Sequence, residues 1–190
     1  MALTESRDLP LGTPCPNFRL PSVDRKTFGL DDFREAAALV VMFICNHCPY
    51  VQAVEDRIIQ LHREYAPRGV QLVGICSNDP TDHPDDRPER LLARWREKDY
   101  GFPYLLDASQ EVARAFHAVC TPDIFVFDRH CCLAYHGQID DNWKEPTKVT
   151  RHDLRDIVVL EQPNPRNSRG ASLQAGLCIV QRHSAQREHG

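Results

Sequence analysis

Two cysteines separated by two residues, Cys45-Asn46-His47-Cys48, are the side chains of this 190-residue chain best suited to chemistry. A thiolate attacks a disulfide sulfur, and a second thiol one helical turn away resolves the mixed disulfide by forming an intramolecular bridge. Placement decides whether a thiolate is favoured. Ala37 to Ile44 is a continuous β-leaning run that stops at Cys45, and from Pro49 onward Val51, Val54, Ile58, Leu61 and Tyr65 recur every three or four residues. That stripe predicts a helix with proline in its first turn. The thiols therefore fall where a buried strand hands over to a helix, whose partial positive charge and unpaired N–H groups favour thiolate over thiol. Cys45, expected to be the more exposed, is read as the nucleophile and Cys48 as the resolving thiol, with both sulfurs expected within reach of solvent. His47 is either a protonated neighbour that stabilises the thiolate or a solvated turn residue.

The competing reading of the pair is half of a zinc site. It needs two further ligands at suitable spacing, yet there is no second Cys-X-X-Cys, Cys131-Cys132 is adjacent, and the histidines are scattered. Redox chemistry is preferred and no metal is expected; a thiophilic ion on Cys45, Cys48 and His47 stays open, and with it the alternative of a non-catalytic metal-binding or redox-sensing module. A second feature, Cys120-Thr121-Pro122-Asp123, precedes the Ile124 to Phe127 run. Proline at the start of a central strand marks a special turn, and a cis Thr121-Pro122 bond would present the Thr121 backbone to an incoming chain; taken alone, an ordinary trans turn is commoner. Asn46, Thr121 and Pro122 are the expected substrate contacts. Cys120 is either a third redox-linked thiol or a packing residue, Cys76 a small core residue, and Cys15, Cys131, Cys132 and Cys178 surface or hairpin residues. Asp82 to Glu89 reads as a solvated acidic loop.

The elements that must position these residues follow from pattern. An N-terminal hairpin is expected from Pro14 to Leu30, then strands at 37–44, 70–76, 104–106, 124–127 and 133–135, with helices from Pro49 to about Pro67, 89–99, 110–116 and 151–160. Strands alternating with helices imply right-handed crossovers, and the closing hairpin adds antiparallel strands, giving an α/β mixed sheet flanked by helices. One domain over residues 11–160 is expected, after a short arm (1–10) and before a Pro-, Ser- and Arg-rich tail (161–190) of poor order. With 42% hydrophobic residues and 26% charged, the chain reads as a folded soluble protein. Its net charge of −4 gives no bulk attraction to nucleic acid or anionic membrane. The longest strongly apolar stretch, Ala36 to Cys45, is half the length of a membrane span, and Met1 to Asp8 has no signal-like core, so cytosolic residence is expected. Eight cysteines are too sparse for a disulfide-stapled secreted scaffold. No nucleotide-binding glycine loop is present and no cofactor is expected.

Taken with its order of elements, the sequence resembles the thioredoxin-fold redoxins of the alkyl hydroperoxide reductase and thiol-specific antioxidant group. The likeness runs from Leu11-Gly-Thr-Pro-Cys-Pro-Asn-Phe18 through the Cys45 to Pro49 motif and Ser77-Asn-Asp79 to Thr121-Pro122 and Gly137 to Asp141, about residues 10 to 160. It implies a thioredoxin-like fold, a redox pair at Cys45 and Cys48, a cis Thr121-Pro122 beside it, a protein or small-molecule disulfide substrate and a thiol electron donor. Asn46-His47 departs from the thioredoxin loop, which leaves reductant and oxidant roles equally open. Peroxide reduction is the alternative activity: Cys48-Pro49 resembles the peroxiredoxin Cys-Pro step. The hydroxyl expected three residues before the reactive cysteine is Met42 or Cys45 here.

Overall fold

A computed structural model describes residues 9–161. The arm and tail expected at the two ends, and Cys178 with them, lie almost wholly outside those residues. Strands β1 (Arg19–Pro21) and β2 (Thr27–Gly29) form a small antiparallel hairpin. There follow β3 (Ala38–Phe43), α1 (Pro49–Tyr65), β4 (Val70–Cys76), α2 (Pro88–Glu97), β5 (Tyr104–Leu106) and α3 (Glu111–Ala115). Strands β6 (Asp123–Asp128) and β7 (Leu133–Gly137) and helix α4 (Asp153–Glu161) complete the order. The main sheet runs β5-β4-β3-β6-β7, parallel across β5, β4 and β3 and antiparallel through β6 and β7. This is the expected mixed sheet, with element ends shifted by one or two residues.

All six residues of β3 are buried, as a central strand covered on both faces requires. Ala38, Val40 and Met42 join one core with the α1 stripe; Leu39, Val41 and Phe43 join the other with Phe116, Phe125 and Phe127. The helix also buries Glu55, whose carboxylate receives both Arg94 Nε and Nη2 at 2.7 Å and the Tyr100 hydroxyl at 2.5 Å. A buried carboxylate is tolerable only when so satisfied, and the cluster locks α2 against α1. Among the described residues no helix is long and apolar enough to cross a membrane.

The acidic loop differs from expectation. Pro84–Asp86 is a turn of 3-10 helix, and Asp86 is buried rather than solvated. Cys15 is likewise inside: Pro14 bridges Cys132 in antiparallel fashion, the Cys15 N–H donates to the Cys131 carbonyl at 2.8 Å, and burial pushes the Cys15 thiol up to about 12. That pairing joins residues more than a hundred positions apart and has no local signature.

Close approach is needed at one glycine beside the site. A Cβ on Gly74 in β4 would lie 2.8 Å from Ile44 Cδ1 and 3.2 Å from Tyr104 Cδ2, and Ile44 carries the chain into Cys45. Gly74→Ala is expected to lower stability by about 1 to 3 kcal/mol through overpacking, read as a lower urea midpoint at unchanged slope.

Candidate active site

The chain leaves β3 with the Ile44 N–H on the Ile75 carbonyl, then turns through Cys45, Asn46 and His47 before Cys48 caps α1 and Pro49 occupies its first turn. Proline suits that position because the missing N–H would have had no helical partner. The Thr121-Pro122 peptide is cis and stands against the turn. Thr121 meets both sulfurs: its hydroxyl is 3.3 Å from Cys45 Sγ, and its carbonyl accepts from the Cys48 thiol at 3.1 Å. The structure thus brings together Cys45, Cys48, His47 and Thr121 as the sequence suggests.

Exposure departs from expectation in two ways. Both cysteines are buried, and Cys48, at 7%, is more exposed than Cys45 at 2%. The reason is geometric: Cys45 still continues the buried strand, whereas Cys48 has reached the helix end at the rim. The electrostatics follow the same order. The Cys48 thiol lies below its ordinary range, held there first by hydrogen bonding with Cys45, then by the Thr121 hydroxyl and the amides of Val51 and Tyr50, against the cost of burial. Cys45 is pushed up by that same sulfur–sulfur hydrogen bond, by desolvation and by the negative charge of Asp86.

Asp86 is the residue that sequence reasoning missed. Its fully buried carboxylate accepts the Asn46 N–H at 2.7 Å and the His47 N–H at 3.3 Å on one oxygen. The other oxygen meets His47 Nδ1 at 2.6 Å and Asn78 Nδ2 at 2.8 Å. His47 is therefore no free turn residue: its ring is fixed from below and stacks on His83, centroids 3.8 Å apart and planes within 1°. Asn46, expected to contact substrate, faces inward instead, 7% exposed with its side-chain amide donating to the Asp85 carbonyl at 3.0 Å. The Asn46 carbonyl in turn accepts from Gln52 Nε2 at 2.7 Å, tying the turn to α1. The only advance signal for Asp86 is its place between Pro84 and Pro88, which stiffen the segment presenting it.

Donor atoms of Cys45, His47 and Asp86 all lie within 4.8 Å of one another, so one ion would reach all three. In this arrangement the His47 ring and the Asp86 carboxylate meet each other, and Cys45 Sγ meets the Thr121 hydroxyl. Cys76 closes β4 inside the core, its thiol pushed up to about 12 by burial, and Cys120 lies half-buried beside Thr121.

A mixed sheet with a Cys-X-X-Cys turn at a strand end and a cis proline opposite it is the thioredoxin-like fold of the thiol-disulfide oxidoreductases. Residues 11–136 match the model of the AhpC/TSA family, and the chain belongs to that family. Among solved structures it is similar to an uncharacterized conserved protein from Geobacillus kaustophilus, 42% identical with a TM-score of 0.78 over 87% of this chain and 90% of that one. A hypothetical protein from Sinorhizobium meliloti is 41% identical, also with a TM-score of 0.78, over 84% and 90%. A thiol:disulfide interchange protein of the thioredoxin family from Chlorobium tepidum, 22% identical, shares the fold with a TM-score of 0.63 over 82% and 99%.

Asp86→Ala would leave the buried Asn46 amide and the part-buried His47 amide without this acceptor. It is expected to cost about 2 to 4 kcal/mol in urea unfolding. Loss of the carboxylate charge is expected to lower the Cys45 thiol pKa, followed by thiolate ultraviolet absorbance.

Proposed function

We propose that this protein is a thiol-disulfide oxidoreductase in which Cys48 attacks and Cys45 resolves, the reverse of the order that the sequence suggests. The observation that carries the reading is placement: Cys48 stands at the α1 start and is the more exposed sulfur, 7% against 2%, whereas Cys45 lies deeper, just before the turn held by the buried Asp86 carboxylate. Attack by the Cys48 thiolate on a substrate disulfide forms a Cys48–substrate bond and releases one substrate thiolate, which takes up a proton. Cys45 then gives up its proton and attacks the Cys48 sulfur, releasing the second substrate thiol and leaving a Cys45–Cys48 bridge. The substrate gains two electrons and the protein loses two, to be restored by a thiol donor. Both sulfurs are buried, and the approach is read as running along the neighbouring cleft, which His47 and Thr121 line.

The Thr121 hydroxyl beside Cys45 also favours a second reading, peroxide reduction, since it supplies from another segment the hydroxyl absent three residues upstream. There the Cys48 thiolate would break the O–O bond, taking one oxygen as sulfenic acid and releasing the other, with a proton, as water or alcohol; the Cys45 thiol would then attack that sulfur, expelling its oxygen as water on forming the bridge.

Insulin reduction with a dithiol donor is expected to vanish in Cys48→Ser. Cys45→Ser is expected to trap substrate as a mixed disulfide on Cys48, visible as a mass adduct removed by reductant. Trapping on Cys45 in Cys48→Ser would restore the opposite order. Alkylation of Cys48 in the wild type is expected to persist below the usual thiol range near pH 8.5, and Cys45→Ala, which leaves no donor at that position, is expected to move its midpoint upward by removing the largest hydrogen bond to the thiolate. Catalytic hydrogen peroxide turnover without disulfide reduction would select the second reading.

A further inference from the structure

Beside the thiol pair lies a cleft of about 360 Å³, bounded on one side by His47, Ser77 and His83 and on the other by Gln110 and Arg114 of the α3 segment, with Thr121 at the thiol end. Its volume falls in the range of small-molecule sites. Its chemistry is one-sided: the lining carries one arginine and two histidines and no carboxylate. The Arg114 guanidinium donates to the Ser109 carbonyl at 2.7 Å, a neutral acceptor that orients the group without cancelling its charge. Apolar surface is present too, through Phe43, Ala113 and the half-exposed Val119.

From this juxtaposition we infer that the cleft seats a low-molecular-weight disulfide bearing carboxylates, about the size of a tripeptide thiol and its dimer, with a carboxylate at Arg114 and its sulfur at the thiol pair. The inference rests on the thiol-disulfide reading above and names the substrate class for it. Cys48 thiolate forms the mixed disulfide with one half of the ligand and releases the other half as a thiolate that takes up a proton. Cys45, losing its proton, then displaces the bound half as thiol, so the disulfide gains two electrons and the Cys45–Cys48 bridge forms. The attraction comes from Arg114, since the Asp86 carboxylate behind His47 offsets any charge on that ring; an anionic ligand gains from it in both steps, and a cationic one of similar size is repelled.

The test follows oxidation of the reduced full-length protein by oxidised glutathione, an anionic disulfide, and by cystamine, a cationic one. The anionic probe is expected to react about tenfold faster or more at low ionic strength, with the ratio shrinking as salt screens the charges. Arg114→Glu, at an exposed position, is expected to cut that ratio about tenfold. Arg129→Glu, on the turn between β6 and β7, is expected to keep it. A ratio near one in the wild type, or one that Arg114→Glu and Arg129→Glu change alike, overturns the anion assignment while insulin reduction stands. Failure of both small disulfides and of insulin to oxidise the pair overturns the underlying reading as well.

Discussion

The buried Asp86 carboxylate is what holds the site in its form. Taking such a group out of water costs several kcal/mol, and the structure offsets this with two backbone N–H groups, an imidazole and a carboxamide converging on it. Those donors come from two different loops. Asn46 and His47 follow β3 and Asn78 follows β4, and because β3 and β4 are parallel neighbours their carboxyl ends emerge on the same edge of the sheet. One carboxylate can therefore fasten the thiol-bearing turn to the loop beside it.

The same arrangement gives the two sulfurs different surroundings. Asp86 adds negative charge near Cys45, already disfavoured as thiolate by its burial, while Cys48 collects the hydrogen bonds of the helix start and of the Cys45 thiol. A symmetrical pair would share its charge; this one is biased by environment, the way neighbouring acids are given different roles. The Thr121 carbonyl, 3.1 Å from Cys48 Sγ, works against a thiolate there, so the bias comes from the donors outnumbering that one acceptor.

The frame of this site is legible in sequence because its signals are local. The apolar run into Cys45, the Val51 to Tyr65 stripe and the Pro at position 49 each place their own element, and the resemblance adds the proline opposite. What stays hidden depends on pairing across long sequence distances. Asp86 lies in a segment of prolines and acids that looks like any solvated loop, and its role exists only once β4 lies beside β3. The order of exposure of Cys45 and Cys48 is hidden for a related reason: spacing sets both at the junction but does not say how far the strand burial extends past Phe43. Cys15 reads as a surface residue until the far turn at Cys131 covers it.

A second buried carboxylate does for the cleft what Asp86 does for the thiols. Asp107, which follows β5, is fully buried, its N–H donates to the Cys76 carbonyl at 2.9 Å, and its side chain accepts the Ser77 hydroxyl at 3.0 Å and the Ala113 N–H at 2.9 Å. Gln110 closes the circle by donating from Nε2 to the Ser77 carbonyl at 2.9 Å. The short α3 has five residues, too few to hold itself. Its position relative to the end of β4 is instead set by Asp107, and with it the place of Arg114 opposite His47 and His83. The two walls of the cleft are thus each pinned by a buried carboxylate, and no carboxylate is among the residues that line it.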